Sequence, residues 1–239
     1  DYVKVNVFGE FPSASINALL GVEEVEAAMS RGYKSEDFDH AQKRLGIDVA
    51  RFGDDDTVIF PRQGLMAFLP TIMKGARSNE IAARIMAAKA KWNAEVELID
   101  GTGGFGAGTV DALIQAGHSP HEIHFSSRPT DPRFFNKRSE MWFAMAEWIK
   151  RGGALPKLPE LIKELTTPEY FFHNGKLRLE EKDSIKERLG RSPDMADALA
   201  LTFALPEMPT SHGLQGVINN LKSSHVSEYD PFSNNNSQQ

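Results

Sequence analysis

The segment "LGIDVARFGDDDTVIF", residues 45–60, restricts the fold more than any other part of the chain. Its apolar runs have the composition of buried strands. Yet Asp48 interrupts the first run between Ile47 and Val49, and Asp54, Asp55 and Asp56 follow in a row. Carboxylates at the ends of buried strands repel one another and resist desolvation. Either they form a solvated turn, as Asp beside Gly commonly does, or positive charge sits among them. The pattern recurs twice. Asp100 closes the apolar run "EVELID", and Asp194 and Asp197 lie one helical turn apart in "SPDMADALAL", so they share a face. Bland readings exist for each. Strand alternation can point Asp48 at water, and Asp194 in a first turn complements the helix dipole. Asp197, inside the helix and near its apolar face, is less easily explained that way.

The rhythm of the chain frames these acids. "RLGIDVA", "TVIFP" and "LMAFLP" are short apolar runs separated by turn residues, which predicts consecutive hairpin strands. Residues 78–93, "SNEIAARIMAAKAKWN", carry an N-cap Ser, an early acid and an Ala-rich helical period. A strand over 95–100 follows, then a Gly-rich turn into a helix ("GTGGFGAGTVDALIQAG"), and a strand over 121–125. Residues 136–153 form an amphipathic helix ending at a Gly pair, whose Trp142, Phe143, Met145 and Trp148 read as core. "ELIKELTTP" predicts a short helix, and Asn174-Gly175 between apolar runs predicts a hairpin over 169–180. "KDSIKERLG" and "SPDMADALALTFAL" predict two helices, the second opening at a Ser-Pro cap. This order predicts an α/β fold with a mixed central sheet. Three antiparallel hairpin strands are followed by parallel strands, all flanked by helices. Residues 1–43 read as a lead-in segment, 44–206 as the domain, and 207–239 as a polar tail expected to be disordered.

The chain has no cysteine, which excludes a disulfide framework, a thiolate zinc site and a cysteine nucleophile. No apolar run is long enough to cross a bilayer. The net charge of −6 offers nucleic acid no general attraction, so any DNA contact requires a local basic surface. Neighbouring strand ends can bring Asp48 and the Asp54–Asp56 run beside Asp100, and a helix packed on the sheet can add Asp194 and Asp197. Such a cluster needs cations among its members. Oxygen donors without sulfur suit Mg²⁺ or Mn²⁺, and carboxylates sharing two such ions serve in-line phosphodiester cleavage. An EF-hand would need alternating acids and a closing Glu, which this stretch lacks. Gly101, Gly103 and Gly106 do match the dinucleotide fingerprint G-x-G-x-x-G. They arrive at the fourth strand, however, with Asp100 where a pyrophosphate would approach. Glycines here more readily allow a sharp turn beside a metal site. No Lys-Ser/Thr follows, so this is no Walker A loop.

Three motifs, "GIDVARFGDDDTVI", "ELIDGTGGFGAGTVDAL" and "LGRSPDMADALALTFA", resemble in order and spacing the C-terminal nuclease domain of phage large terminase subunits. That domain has the RNase H-like fold and is similar to RuvC-type resolvases. The resemblance covers about residues 40–206. It implies an endonuclease that cuts concatemeric viral double-stranded DNA during genome packaging, with two Mg²⁺ or Mn²⁺ ions. The family's first acid maps to Asp48 and its second to Asp100. Its third maps to Asp197 or Asp194, and both are carried over; Asp54 matches an auxiliary acid of some members. By this resemblance Asp48 bridges both ions, Asp100 holds one, and Asp194 and Asp197 hold the other. Water attack in line leaves a 3′-hydroxyl and a 5′-phosphate, with little sequence preference.

The resemblance also implies partners and a setting: a portal protein, a small terminase subunit and the host-cell cytoplasm, with residues 208–239 a candidate docking strand. "VFGEFPS" resembles the linker that follows a packaging ATPase. No ATP hydrolysis is expected of this chain. Candidate DNA contacts are Arg128, Arg133, Lys137 and Arg138, and the run Lys182, Lys186, Arg188 and Arg191 before the last helix. Charged faces of this kind also serve simply as solvated surface. The 169–180 hairpin reads as a DNA-regulating flap or a sheet edge, and His173 as a turn histidine. Two other classes share the pattern. An actin-like phosphotransferase would need a duplicated second half, and a non-catalytic packaging module would keep the acids without cleaving.

Overall fold

The structure is a computed structural model that describes residues 17–50, 55–104 and 106–210. A six-stranded mixed sheet forms its middle layer. Strand β1 (Lys43–Asp48) pairs antiparallel with β2 (Asp56–Gln63) on one side and parallel with β5 (Val96–Asp100) on the other. Strand β6 (His121–Ile123) continues the parallel half. The first two hairpin strands stand as expected. The third is split: β3 (Met66–Ala67) and β4 (Thr71–Lys74) both pair antiparallel with β2. Pro70, which has no N–H to give a ladder, falls in the break.

Helices cover both faces. One face packs α2 (Ser78–Trp92) and α3 (Ala107–Gln115) against Leu45, Ile47, Ile59 and Ile99. The other face carries a core that includes Val58, Phe60, Val96 and Leu98. Against it pack α1 (Val22–Ser30), α4 (Lys137–Lys150), α5 (Pro159–Thr166) and α7 (Asp194–Leu201). Leu19, Leu20, Val25 and Ala28, from the segment read as lead-in, belong to this second core. Trp142 and Met145 are fully buried there, and Phe143 and Trp148 pack against it, as the helical spacing predicts. Strands β7 (Tyr170–His173) and β8 (Lys176–Leu179) form a hairpin outside the central sheet, with Asn174 and Gly175 at positive φ. This is neither flank of the main sheet. Helix α6 (Lys182–Leu189) follows directly. Among the described residues, no helix is long and apolar enough to cross a membrane.

Two helix starts differ from the expected caps. Arg77, not Ser78, is the N-cap of α2, where Glu80 accepts the Arg77 N–H at 2.9 Å. Pro193, not Ser192, is the N-cap of α7. The Ser192 hydroxyl donates instead to Asp55 Oδ1 at 2.9 Å.

Strand period and one glycine position the acids. Leu45 and Ile47 face the α2–α3 core, so Gly46 and Asp48 face α7. On β5, Ile99 faces α2 and α3, so Asp100 shares the side of Val96 and Leu98. A Cβ at Gly46 would lie 1.9 Å from the Ala198 carbonyl oxygen. Only glycine lets the α7 backbone lie this close to β1. The far end of α7 is held by two buried arginines. Arg44 Nη1 donates to Thr202 O and Leu205 O at 3.1 and 2.7 Å, and Arg62 Nη2 donates to Thr202 O at 3.1 Å. Cations at a helix C-terminus are favourably placed against its dipole.

Candidate active site

Asp48 and Asp100 end adjacent parallel strands, one step beyond the paired residues Ile47 and Ile99. Both acids therefore stand side by side at the C-terminal end of two central strands. Asp100 Oδ1 accepts the Thr102 N–H at 2.8 Å, which fixes the carboxylate as the chain turns through Gly103 and Gly104, both at positive φ. A Cβ at Gly106 would lie 2.1 Å from the Asp100 carbonyl oxygen, so this glycine seats the start of α3 against the end of β5. The glycines serve a tight turn beside an acid, not an opening βαβ unit.

Helix α7 adds the other two acids. Asp194 Oδ2 accepts the Asp56 N–H at 2.9 Å, joining α7 to the start of β2. Asp197 is wholly buried. Its Oδ1 accepts Trp142 Nε1–H at 2.7 Å and Arg138 Nε–H at 3.1 Å. Asp100, Asp194 and Asp197 thus each have one oxygen fixed by a protein donor. Asp48, Asp100 and Asp194 line a cleft of about 380 Å³ together with Lys182, Lys186 and Arg138.

Lys182 stands at the centre of this arrangement. Its Nζ lies 3.2 Å from Asp48 Oδ2, 3.3 Å from Asp197 Oδ2 and 3.4 Å from Asp194 Oδ1. Burial alone would lower its pKa, but the carboxylates of Asp48, Asp197 and Asp194 hold it above the usual lysine value. Burial pushes Asp48 well above the ordinary carboxylate range; Lys182 opposes the shift and the neighbouring acids add to it. Asp100 and Asp194 are also raised, chiefly by burial. For Asp197, burial is outweighed by Arg138 and Lys182 with the Trp142 hydrogen bond, and its pKa is lowered. The cluster accordingly prefers a resident positive charge, and protons compete for it.

The donor set fits a hard divalent cation: four carboxylates with no sulfur or imidazole among them. Asp197 Oδ2 is buried, with the Lys182 ammonium beside it at 3.3 Å. Among the described residues, no three acidic or histidine side chains are arranged to close on one ion. The ammonium of Lys182 holds them about its own, longer contact distances. Asp54 lies outside the described residues. Its neighbour Asp55 accepts from Lys186 Nζ at 2.7 Å, fastening the β1–β2 connection to α6.

The basic candidates divide sharply. Lys182, Lys186 and Arg138 do reach the cleft. Arg138 is no free phosphate contact, however. It is buried, donates to Asp197 and to Glu180 O at 2.9 Å, and lies over the Trp142 ring. Arg188 pairs with Glu180, Arg191 with Glu164, Lys137 with Glu140, and Arg133 with Asp131. Arg128 is exposed on the loop before α4. Sequence reasoning missed the Trp142 and Arg138 supports of Asp197. The signal was available in part, since a buried indole N–H requires an acceptor.

No family model and no curated protein matches the chain. Solved structures do. The nuclease domain of the large terminase subunit gp2 of bacterial virus Sf6 is similar at TM-score 0.67 and 24% identity, over 79% of this chain and 99% of that one. A mutant of the same domain with manganese gives TM-score 0.66 at 24% identity, over 79% of this chain and 100% of that one. The large terminase nuclease of thermophilic phage G20c with bound magnesium gives 0.56 at 16% identity, over 80% and 98%. The chain has the RNase H-like fold of these nuclease domains.

Proposed function

We propose that this chain is an endonuclease domain that cuts concatemeric viral double-stranded DNA during genome packaging, using two Mg²⁺ or Mn²⁺ ions. The observation that carries the reading is the convergence, from three distant segments, of Asp48, Asp100 and Asp194 on one cleft, with the buried Asp197 sharing Lys182 with Asp48 and Asp194. The solved relatives in fold include domains with manganese and magnesium, which supports a divalent cation. Asp48, Asp100, Asp194 and Asp197 would hold the ions, Asp54 being an auxiliary candidate. Bound there, such ions neutralise phosphate charge and make water a nucleophile at neutral pH.

The chain's own residues do the rest. Thr102 N–H, Asp56 N–H and the Arg138–Trp142 pair fix three carboxylates before any substrate arrives, so little reorganisation is left for the reaction. Lys182 offsets part of the cluster's negative charge when no cation is present and would compete with one that enters. Lys182 and Lys186 line the cleft and would turn to a phosphate on leaving the carboxylates they now pair with. Contacts of these kinds read backbone rather than base, so cutting is expected to show little sequence preference. The same reading carries a portal protein and a small terminase subunit as partners, and the host-cell cytoplasm as the setting.

The test is cleavage of supercoiled plasmid in Mn²⁺, Mg²⁺ or EDTA, alongside Asp100→Asn. Nicking and linearisation that require the metal and vanish in Asp100→Asn are expected. Cleavage that survives Asp100→Asn sinks the reading. The ammonium among the acids favours one rival, a non-catalytic module. Folded wild-type chain inert in both metals, with Lys182→Ala equally inert, would support that rival.

A further inference from the structure

We infer that Glu164, on α5, is a positioning residue for the acidic cleft and acts through the helix that carries Asp194 and Asp197. The inference rests on reading that cleft as a cation site. Helix α7 opens at Pro193, which provides no side-chain cap. The first N–H groups of a helix have no partner within it and need one elsewhere. Asp197 N–H is satisfied by Pro193 O at 2.8 Å. Ala196 N–H, one residue earlier, is satisfied from another helix: it donates to Glu164 Oε2 at 2.9 Å. The other oxygen of Glu164 pairs with Arg191, three residues before Asp194. One carboxylate thus ties the loop entering α7 to the first turn of α7.

The arrangement is costly. Glu164 has no exposed surface, and a buried carboxylate costs several kcal/mol even when paired. A Ser or Asp at the N-cap would satisfy the same N–H locally. What the distant carboxylate adds is a fixed relation between α5 and the turn bearing both acids. Asp194 and Asp197 flank Ala196 on either side, so a shift at Ala196 moves both. Glu164 does not line the cleft. It acts through the backbone and not as a ligand. With Arg44 and Arg62 at the other end of α7, the helix is held at both termini by buried charged side chains.

The test uses the whole chain with Glu164→Leu, Glu164→Gln and Arg191→Gln. Mn²⁺ affinity is read by calorimetry, folding by thermal unfolding, and Mn²⁺-dependent plasmid cleavage by kcat and KM. Glu164→Leu should weaken Mn²⁺ binding roughly tenfold or more and lower kcat while KM for DNA stays put. Glu164→Gln keeps an oxygen for the Ala196 N–H and should fall between Leu and wild type. A lower Tm with Mn²⁺ affinity unchanged would mark Glu164 as merely structural and overturn the inference. Should Glu164→Leu not fold, unchanged affinity in both Glu164→Gln and Arg191→Gln overturns it equally. A wild-type chain that binds Mn²⁺ in a Glu164-dependent way yet cuts no DNA sinks the nuclease and leaves this inference standing. A wild-type chain that takes up no Mn²⁺ sinks both.

Discussion

Removing Lys182 takes away the one ammonium that Asp48, Asp194 and Asp197 share. Three carboxylates are then left facing one another. Lys182→Ala should therefore lower the metal-free Tm and strengthen Mn²⁺ binding, since the ion no longer competes with a tethered cation. Thermal unfolding in EDTA and in Mn²⁺, with calorimetry, checks both directions. The supports of Asp197 should rank by charge. Trp142→Phe deletes one hydrogen bond to a buried carboxylate and should cost about 1–3 kcal/mol. Arg138→Met deletes one of its two counter-charges, Lys182 remaining, and should cost more than Trp142→Phe, up to about 3–5 kcal/mol. Denaturant titration reads each. Glu164 supplies a pH signature. Burial raises its carboxyl to about 7 in the folded chain, with Ala196 N–H and Arg191 opposing the shift. Its unfolded value is the ordinary carboxylate one, so the folded state keeps a proton that the unfolded state releases. Its contribution to stability is therefore full below the unfolded value and lost as pH rises through about 7. The loss is roughly 2–4 kcal/mol. Unfolding at pH 5 to 8 in EDTA should show a shallower decline for Glu164→Gln than for wild type.

Elements explain what the sequence could and could not disclose. Asp48 and Asp100 were legible because their signal is local: an acid terminates an apolar run. The meeting of those strand ends followed from the order of elements. The helices over α4 and α7 and the Asn-Gly hairpin were legible for the same reason. The split of the third hairpin strand was not, because β3 and β4 share β2 through pairings that no local period encodes. Arg138 reads as a candidate DNA contact because "NKRSE" is a basic helix start; its bond to Asp197, 59 residues away, leaves no local mark. Glu164 lies in "ELIKELT" among leucines and carries no mark of its bond to Ala196. Gly46 also passed as an ordinary strand residue. Its effect should be large: in Gly46→Ala the new Cβ meets a backbone oxygen and not a yielding side chain. Overpacking of this kind costs about 1–3 kcal/mol or more. The variant should lose stability and Mn²⁺ affinity together, by thermal unfolding and calorimetry.

For the whole molecule, charge is the governing quantity. The chain carries −6, and most of its candidate DNA-facing cations are engaged by its own acids. Free cations set the salt dependence of DNA binding. A short duplex should therefore bind weakly, need a divalent ion, and show a shallow salt slope, with fewer than about four phosphates neutralised. Fluorescence anisotropy across a salt series in Ca²⁺ and in EDTA would reveal a steep slope if this charge assignment is wrong. The close approach of α7 to β1 at Gly46 has a kinetic corollary. With backbone against backbone there, and both helix ends tied down, the acids of β1 and α7 form one rigid body. Lys182 alone among the central groups rides on a flexible four-carbon stem. Switching this cleft from its resting charge state to a cation-loaded one then calls for side-chain movement of Lys182 and of the carboxylates it holds, and demands no hinge, lid or helix rearrangement of the kind that takes microseconds to milliseconds.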